Sequence, residues 1–240
     1  MKTMLITGAT SGIGEATVKA AAEQGYRVIA CGRNADKLKQ LAASSPSITT
    51  LAFDVTDLDA CKDALAGLSP DITVLNAGVC EYVDIDSWDS QMFRRVFDAN
   101  FFGVVHCLEA MLPTLQSGQQ LLIVDSLARL LPFTRSQAYG ASKAALFYLS
   151  KTLDVDLRGR GVRVQTVSPG FVKTPLTDKN DFKMPLRISP DQAADAILRA
   201  AARGTRTGYF PAVFASIIRA LSALPVSAQL ALCRTMRNAS

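Results

Sequence analysis

Short apolar runs alternate along this chain with longer stretches whose apolar positions recur every three or four residues. The runs fall at 3–7, 27–31, 48–53, 71–75, 120–125, 162–168 and 207–210, and each reads as a strand. Helical spacing covers 13–24, 35–43, 57–67, 87–116, 137–158 and 190–203. The strands are apolar nearly throughout rather than alternating, so both their faces must be covered. The pattern therefore predicts an α/β fold: a doubly wound parallel sheet of about seven strands, with helices on both faces. At 240 residues, with no repeat, low-complexity tract or linker, the chain reads as one domain, 1–240. The Pro-containing stretch at 175–190 is the longest expected loop and a candidate substrate lid.

The first strand runs into a turn rich in glycine and then a helical pattern. Gly8, Gly12 and Gly14 would let the backbone turn sharply and approach a pyrophosphate, with the helix N-terminus supplying N–H groups and a positive dipole end. The spacing is G-x3-G-x-G rather than G-x-G-x-x-G, and an ordinary strand-to-helix turn could look the same. After the second strand come Gly32, Arg33 and Asn34, with no acid beside them to bind a ribose 2′-hydroxyl. Arginine suits a 2′-phosphate, so this corner predicts NADP(H) in preference to NAD(H), against the plainer alternative of a solvated loop arginine.

A second constellation lies in YGASK. Tyr139 and Lys143 are four residues apart, which puts them side by side on one helix face, and Ser126 precedes them. A phenol titrates near pH ~10, too high for acid–base work at neutrality. A fixed ammonium at about 4 Å would favour phenolate by roughly 4 kcal/mol at an effective dielectric of about 20, an upper bound of about three pKa units. The tyrosine could then act near pH ~7. Alone, the pair is as readily a helix-surface coincidence.

Together these parts resemble the short-chain dehydrogenase/reductase family. TGATSGIG at 7–14 is similar to its cofactor motif, and the resemblance implies cofactor contacts from Gly8, Thr10, Ser11, Gly12, Ile13 and Gly14. LNAG at 75–78 resembles the NNAG element, with Leu75 replacing the first Asn, and implicates Asn76, Ala77 and Gly78. AFDVTD implies adenine contacts from Asp54 and Val55; Arg33 and Asn34 face the same end of the nucleotide. SPGFVKT at 168–174 resembles the PG-x-V-x-T element over the nicotinamide, with Pro169, Gly170, Val172 and Thr174. Asn100, Ser126, Tyr139 and Lys143 match the catalytic positions, Tyr139 and Lys143 also touching the cofactor. The resemblance implies a Rossmann-type sheet and reversible hydride transfer between NADP(H) and a carbonyl or secondary alcohol. In it Tyr139 is the proton donor, Lys143 lowers its pKa and binds ribose hydroxyls, Ser126 holds the substrate oxygen, and Asn100 holds a water. Two departures, Asp125 before Ser126 and Arg129 shortly after it, fall near the expected substrate loop. An epimerase or dehydratase of the related extended family, or a dinucleotide sensor that has lost catalysis, are the other readings. The first usually carries a larger C-terminal domain, and the intact Asn–Ser–Tyr–Lys set argues against the second.

Composition narrows the picture. The single histidine, His106, sits in an apolar helical segment and reads as packing, and the five cysteines lack metal spacing, so no metal site is expected. Odd, scattered cysteines and a strand that starts almost at once read as a reduced, cytoplasmic protein. Nothing suggests nucleic acid as a partner; a small carbonyl or alcohol does fit. Phenylalanines at helical spacing in 87–116 and the family's habit of pairing long helices imply a homodimer or homotetramer. Residues 196–240 hold six arginines and no acid or lysine, more than the whole net charge of +5. There Val213, Phe214, Ile217, Ile218, Leu221 and Leu224 form one helical stripe before Pro225. Such a segment, 211–240, either packs on the fold, a subunit or an apolar substrate, or lies against an anionic membrane.

Overall fold

The structure is a computed structural model that describes residues 1–178 and 184–238. Seven strands form one parallel sheet: β1 Thr3–Thr7, β2 Arg27–Gly32, β3 Ile48–Ala52, β4 Ile72–Leu75, β5 Gln120–Val124, β6 Arg163–Pro169 and β7 Thr207–Phe210. Their order is β3-β2-β1-β4-β5-β6-β7, every pairing parallel. The order reverses between β1 and β4, the place where open α/β sheets part to admit a ligand.

The helices are α1 Gly12–Glu23, α2 Ala35–Ser44, α3 Leu58–Leu65, α4 Ser90–Phe97, α5 Gly103–Met111, α6 Gln137–Arg158, α7 Pro190–Arg203, α8 Ala212–Ser222 and α9 Val226–Asn238. Side chains along a strand point alternately to opposite faces, and the two cores follow that period. Met4 and Ile6 of β1 pack with Val18, Leu38 and Ile197 of α1, α2 and α7. Leu5, between them, faces Cys61, Leu108 and Leu146 of α3, α5 and α6. The near-continuous apolar strands of the sequence are thus explained by cover on both sides.

The expected helix over 87–116 is not one helix. Between α4 and α5 the chain makes a π-helical stretch, Asp98–Phe102, and after α5 a 3-10 turn, Leu112–Thr114. The extra residue in the π turn directs Asn100 inward, where it is fully buried. His106 packs as expected, its Nδ1 2.9 Å from the Val55 carbonyl oxygen. The C-terminal stripe is also divided. Pro225 ends one helix and a second, α9, doubles back, while Ala215 and Ile218 of α8 and Cys233 of α9 bury against Leu127 and Leu131. That part of the tail therefore packs on the fold. No helix among the described residues is long and apolar enough to cross a membrane.

Candidate active site

All the motif residues come to the C-terminal ends of the strands. After β1, Gly8 (φ 66°) and Gly12 (φ 53°) take left-handed conformations that glycine adopts without strain. A Cβ on Gly14 would lie 2.1 Å from the Gly8 carbonyl oxygen, so that position admits only glycine. Ser11 is the N-cap of α1, yet its hydroxyl caps none of the first amides, which face the turn with the helix dipole behind them. Ile13 packs into the sheet core. Across the crevice, Asn76 Nδ2 donates to the Thr7 carbonyl at 3.1 Å, and Thr7 Oγ1 accepts from the amides of Asn76 and Ala77 at 3.0 and 3.1 Å. These bonds lock the Gly-rich turn to the strand end beyond β4.

At the far side of the turn, Arg33 is exposed and pairs with Asp54, Nη1 to Oδ2 3.1 Å. Burial works against the Asp54 carboxylate, but hydrogen bonds from the Thr56 amide and hydroxyl and from Arg33 hold it below the usual range. Asn34 caps α2 by accepting from the Lys37 amide, so its side chain is already committed. Thr10 stands against Gly32: a Cβ there would meet Thr10 Cγ2 at 2.8 Å. An aspartate at 32 would force the Thr10 side chain to move, a cost that the sequence alone concealed. The Val55 carbonyl is occupied by His106 and Cys61.

Asn100 makes three side-chain hydrogen bonds, accepting from the Val79 amide at 2.7 Å and donating to the Val79 carbonyl at 3.0 Å and Ser142 Oγ at 2.9 Å. These bonds pin the segment after Gly78 to α6. Ser126 follows β5 by two residues and caps a 3-10 turn, Leu127–Arg129, its Oγ accepting from the Ala128 amide at 3.1 Å. On α6, Lys143 is buried and donates to the Val124 carbonyl at 2.9 Å; its Nζ lies 5.8 Å from the centroid of the Tyr139 ring.

That geometry corrects the expected electrostatics. Burial pushes the Tyr139 phenol up, Cys80 and Asp125 add to the rise, and the Ser126 hydroxyl opposes it. Burial pulls Lys143 down to about 8 against the influence of Asp125 and Cys80. Desolvation dominates at both groups, so the phenol is held in its neutral form and the ammonium is drawn toward its own. Beside them is a buried ion pair, Arg129 Nε to Asp125 Oδ2 at 2.5 Å, with the guanidinium 3.4 Å from the Phe147 ring centroid. Phe147 is one turn beyond Lys143 on α6, so the pair clamps the Ser126 turn to the helix face carrying Tyr139. Burial raises the Asp125 carboxyl, and Arg129 counters it. The two family departures are therefore each other's partners.

Ser126 and Tyr139 open onto a cavity of about 410 Å³. Leu127 and Phe133, expected near the substrate, line it; Leu131 is buried behind it. Leu176, Thr177 and Pro185 of the expected lid also line it, whereas 179–183 lie outside the described residues. Sequence reasoning missed Cys80, Tyr82, Phe171, Phe214, Ile218, Cys233 and Met236. Only Phe214 and Ile218 carried a signal, their helical stripe, and it did not say where the stripe would point. Pro169 ends β6 with its carbonyl 3.4 Å from Ser126 Oγ. Gly170 follows it on the cavity wall, Val172 is buried in the sheet core, and Thr174 stands against Gly12, 3.0 Å from where a Cβ there would be.

A parallel sheet with a glycine-lined crevice beside a Ser–Tyr–Lys cluster defines a nucleotide-dependent α/β enzyme class. The comparisons narrow it. The short chain dehydrogenase family model matches residues 2–184. An uncharacterized oxidoreductase of Myxococcus xanthus is 34% identical over 235 residues, 93% of each chain. A serine 3-dehydrogenase of Rhizobium radiobacter is 38% identical over 188 residues, 73% of this chain and 74% of its own. A short chain dehydrogenase from Burkholderia cenocepacia, solved with NADP, superposes with a TM-score of 0.86 at 25% identity, covering 97% of each chain. The chain belongs to the short-chain dehydrogenase/reductase family of oxidoreductases.

Lys143 gives a pH prediction. A lysine lowered from 10.5 to about 8 binds fewer protons folded than unfolded between those values. Its penalty is complete below about pH 8 and relieved as pH rises, so stability should climb from pH ~8 to ~10, by at most about 3 kcal/mol. Lys143→Met should flatten that rise in urea melts; an unchanged slope would show that the group is not responsible.

Proposed function

We propose that this chain is an NADP(H)-dependent oxidoreductase of carbonyls and secondary alcohols, folded as one domain. The observation that carries this reading is that Ser126 and Tyr139 line one cavity and are hydrogen-bonded to each other, with Lys143 buried one turn further along α6, 3.5 Å from where a Cβ on Gly78 would lie. The fit for a dinucleotide rests on Gly14, where a side chain would fill the cradle, and on the uncapped start of α1. A nicotinamide supplies the hydride when bound. Tyr139 gives its phenolic proton to the substrate oxygen as the carbonyl becomes an alcohol, and takes it back in the reverse direction. Ser126 donates to the same oxygen and offsets its developing charge. Lys143, held on Val124 and titrating at about 8, is a proton source behind Tyr139 and reaches toward ribose hydroxyls. Asn100 positions the floor of the site through Val79 and Ser142. A cytoplasmic homo-oligomer is part of the same proposal.

Tyr139→Phe keeps the shape and removes the proton. Turnover should fall at least about 100-fold while cofactor binding stays near normal. Near-native turnover on the best substrate would remove Tyr139 from the mechanism. For cofactor choice, Arg33 exposes a guanidinium beside the nucleotide end. Charge-assisted bonds to a 2′-phosphate should favour NADPH by roughly 1.5–3 kcal/mol, and Arg33→Gln should erase most of that preference. Tighter binding of NADH to the native chain would reverse the assignment.

The tail supports a second proposal. While Ala215 and Ile218 face inward, Val213 (64% exposed) and Ile217 (48%) of α8 face out, followed by exposed Leu224. The segment 196–240 has six arginines and no acid, a balance suited to anionic headgroups, with Arg206 already paired to Asp154. It should float with anionic vesicles at low salt and release at high salt, and Ile217→Asp should weaken it. Equal behaviour on neutral vesicles, or none on either, would refute membrane attachment.

A further inference from the structure

We propose that the substrate is an uncharged, lipophilic ketone or secondary alcohol, selected by the roof that α8 and α9 place over the cavity; this rests on the oxidoreductase reading above. Ser126 and Tyr139 line the 410 Å³ space, with the uncharged polar side chains of Tyr82, Thr134, Ser136 and Thr177. The apolar part of the wall is Leu127, Phe133, Phe171, Phe214, Ile218 and Met236. Among the described lining residues there is no carboxylate. The one charged side chain, Arg135, has interactions of its own and lies 5.7 Å from the Tyr82 ring.

An amino acid would bring an ammonium and a carboxylate into this wall. The ammonium finds no acidic partner among these residues, and an unpaired buried charge is strongly disfavoured. A small zwitterion would also leave much of the volume to water held against apolar side chains. A lipophilic substrate reverses both terms: its polar oxygen meets Ser126 and Tyr139, and every methylene gains from transfer out of water. Cavities of this size and lining suit such molecules.

The roof is built rather than incidental. Phe214 packs on Phe171 with ring centroids 5.4 Å apart. A Cβ on Gly170 would meet Phe214 Cδ1 at 2.7 Å, so the strand end and α8 are in direct contact. Ala215, Ile218 and Cys233 anchor both helices on Leu127 and Leu131. Phe214, Ile218 and Met236 also lie beyond residue 184, where the family match ends. The α8–α9 part of the wall therefore belongs to the part of the chain that the family model does not describe, while Leu127, Phe133 and Phe171 lie within it.

The test is a ladder of methyl ketones from acetone to 2-decanone, reduced with NADPH and NADH, alongside oxidation of 2-octanol and L-serine. kcat/KM should rise about threefold to fourfold per methylene until the cavity is filled, and L-serine should fall at least 100-fold below 2-octanol. Phe214→Asn should flatten the ladder at its long end, while Phe214→Leu, apolar and smaller, should keep most of the slope. A flat ladder in the native chain, or L-serine preferred over 2-octanol, overturns the proposal. Calorimetric titration of 2-octanol and L-serine into the Tyr139→Phe protein separates this idea from the one beneath it. If nothing is turned over, the oxidoreductase reading fails, yet selective heat from 2-octanol still upholds the lipophilic site. No heat from 2-octanol overturns it.

Discussion

One buried amide ties this active site together. Asn100 satisfies every strong hydrogen-bonding direction it uses within the protein, joining both backbone groups of Val79 to Ser142. Val79 follows the segment beyond β4 that faces the Gly-rich turn, and Ser142 precedes Lys143 on α6. The segment that faces the Gly-rich turn and the helix carrying Tyr139 and Lys143 are therefore joined through a single side chain. Space around it is tight: a Cβ on Gly78 would approach Asn100 Oδ1 to 2.8 Å. The π-helical stretch Asp98–Phe102 is how the chain delivers that amide inward without ending the helical column between α4 and α5.

Burial then sets the chemistry. Lys143 and Tyr139 are both desolvated, and each is driven toward its neutral form. A surface tyrosine–lysine pair would show nothing of this kind. The Asp125–Arg129 pair lies in the same low-dielectric region, where burial raises the Asp125 carboxyl, Arg129 opposes the rise, and the guanidinium stacks on the Phe147 face. Removing one member of such a pair generally costs about 3–5 kcal/mol, because the other charge is left uncompensated. Lys143 and Lys151 also feel the Asp125 charge, so the pair contributes to the electrostatic frame of the site as well as to the position of Ser126.

The C-terminal helices show how a shared scaffold acquires an individual pocket. Six of the seven strands, β1 to β6, and the strand-end residues lie within the stretch common to the family, and β7 lies beyond it. α8 and α9 are added outside it and close the cavity with an apolar inner face. The outer face of α8 turns Val213 and Ile217 outward, and Leu224 is exposed in the link to α9. A single amphipathic stripe in the sequence thus has two faces in the structure, one in the core over the site and one at the surface.

The sequence by itself determined the sheet, because uninterrupted apolar runs leave no alternative to cover on both faces. It also determined the motif positions, since Gly8, Gly12, Gly14, Ser126, Tyr139 and Lys143 announce themselves by local spacing. What lay beyond it were relations between residues distant along the chain. The break at Asn100, the contact of Gly32 with Thr10, and the pairing of Arg33 with Asp54 depend on the packed geometry. So does the direction of the Tyr139 and Lys143 shifts, which follows from burial that no local pattern records. The inward aim of Phe214 and Ile218 was likewise fixed only when Pro225 divided the tail and α9 folded back, because a helical stripe says that one side is apolar but not what that side will meet.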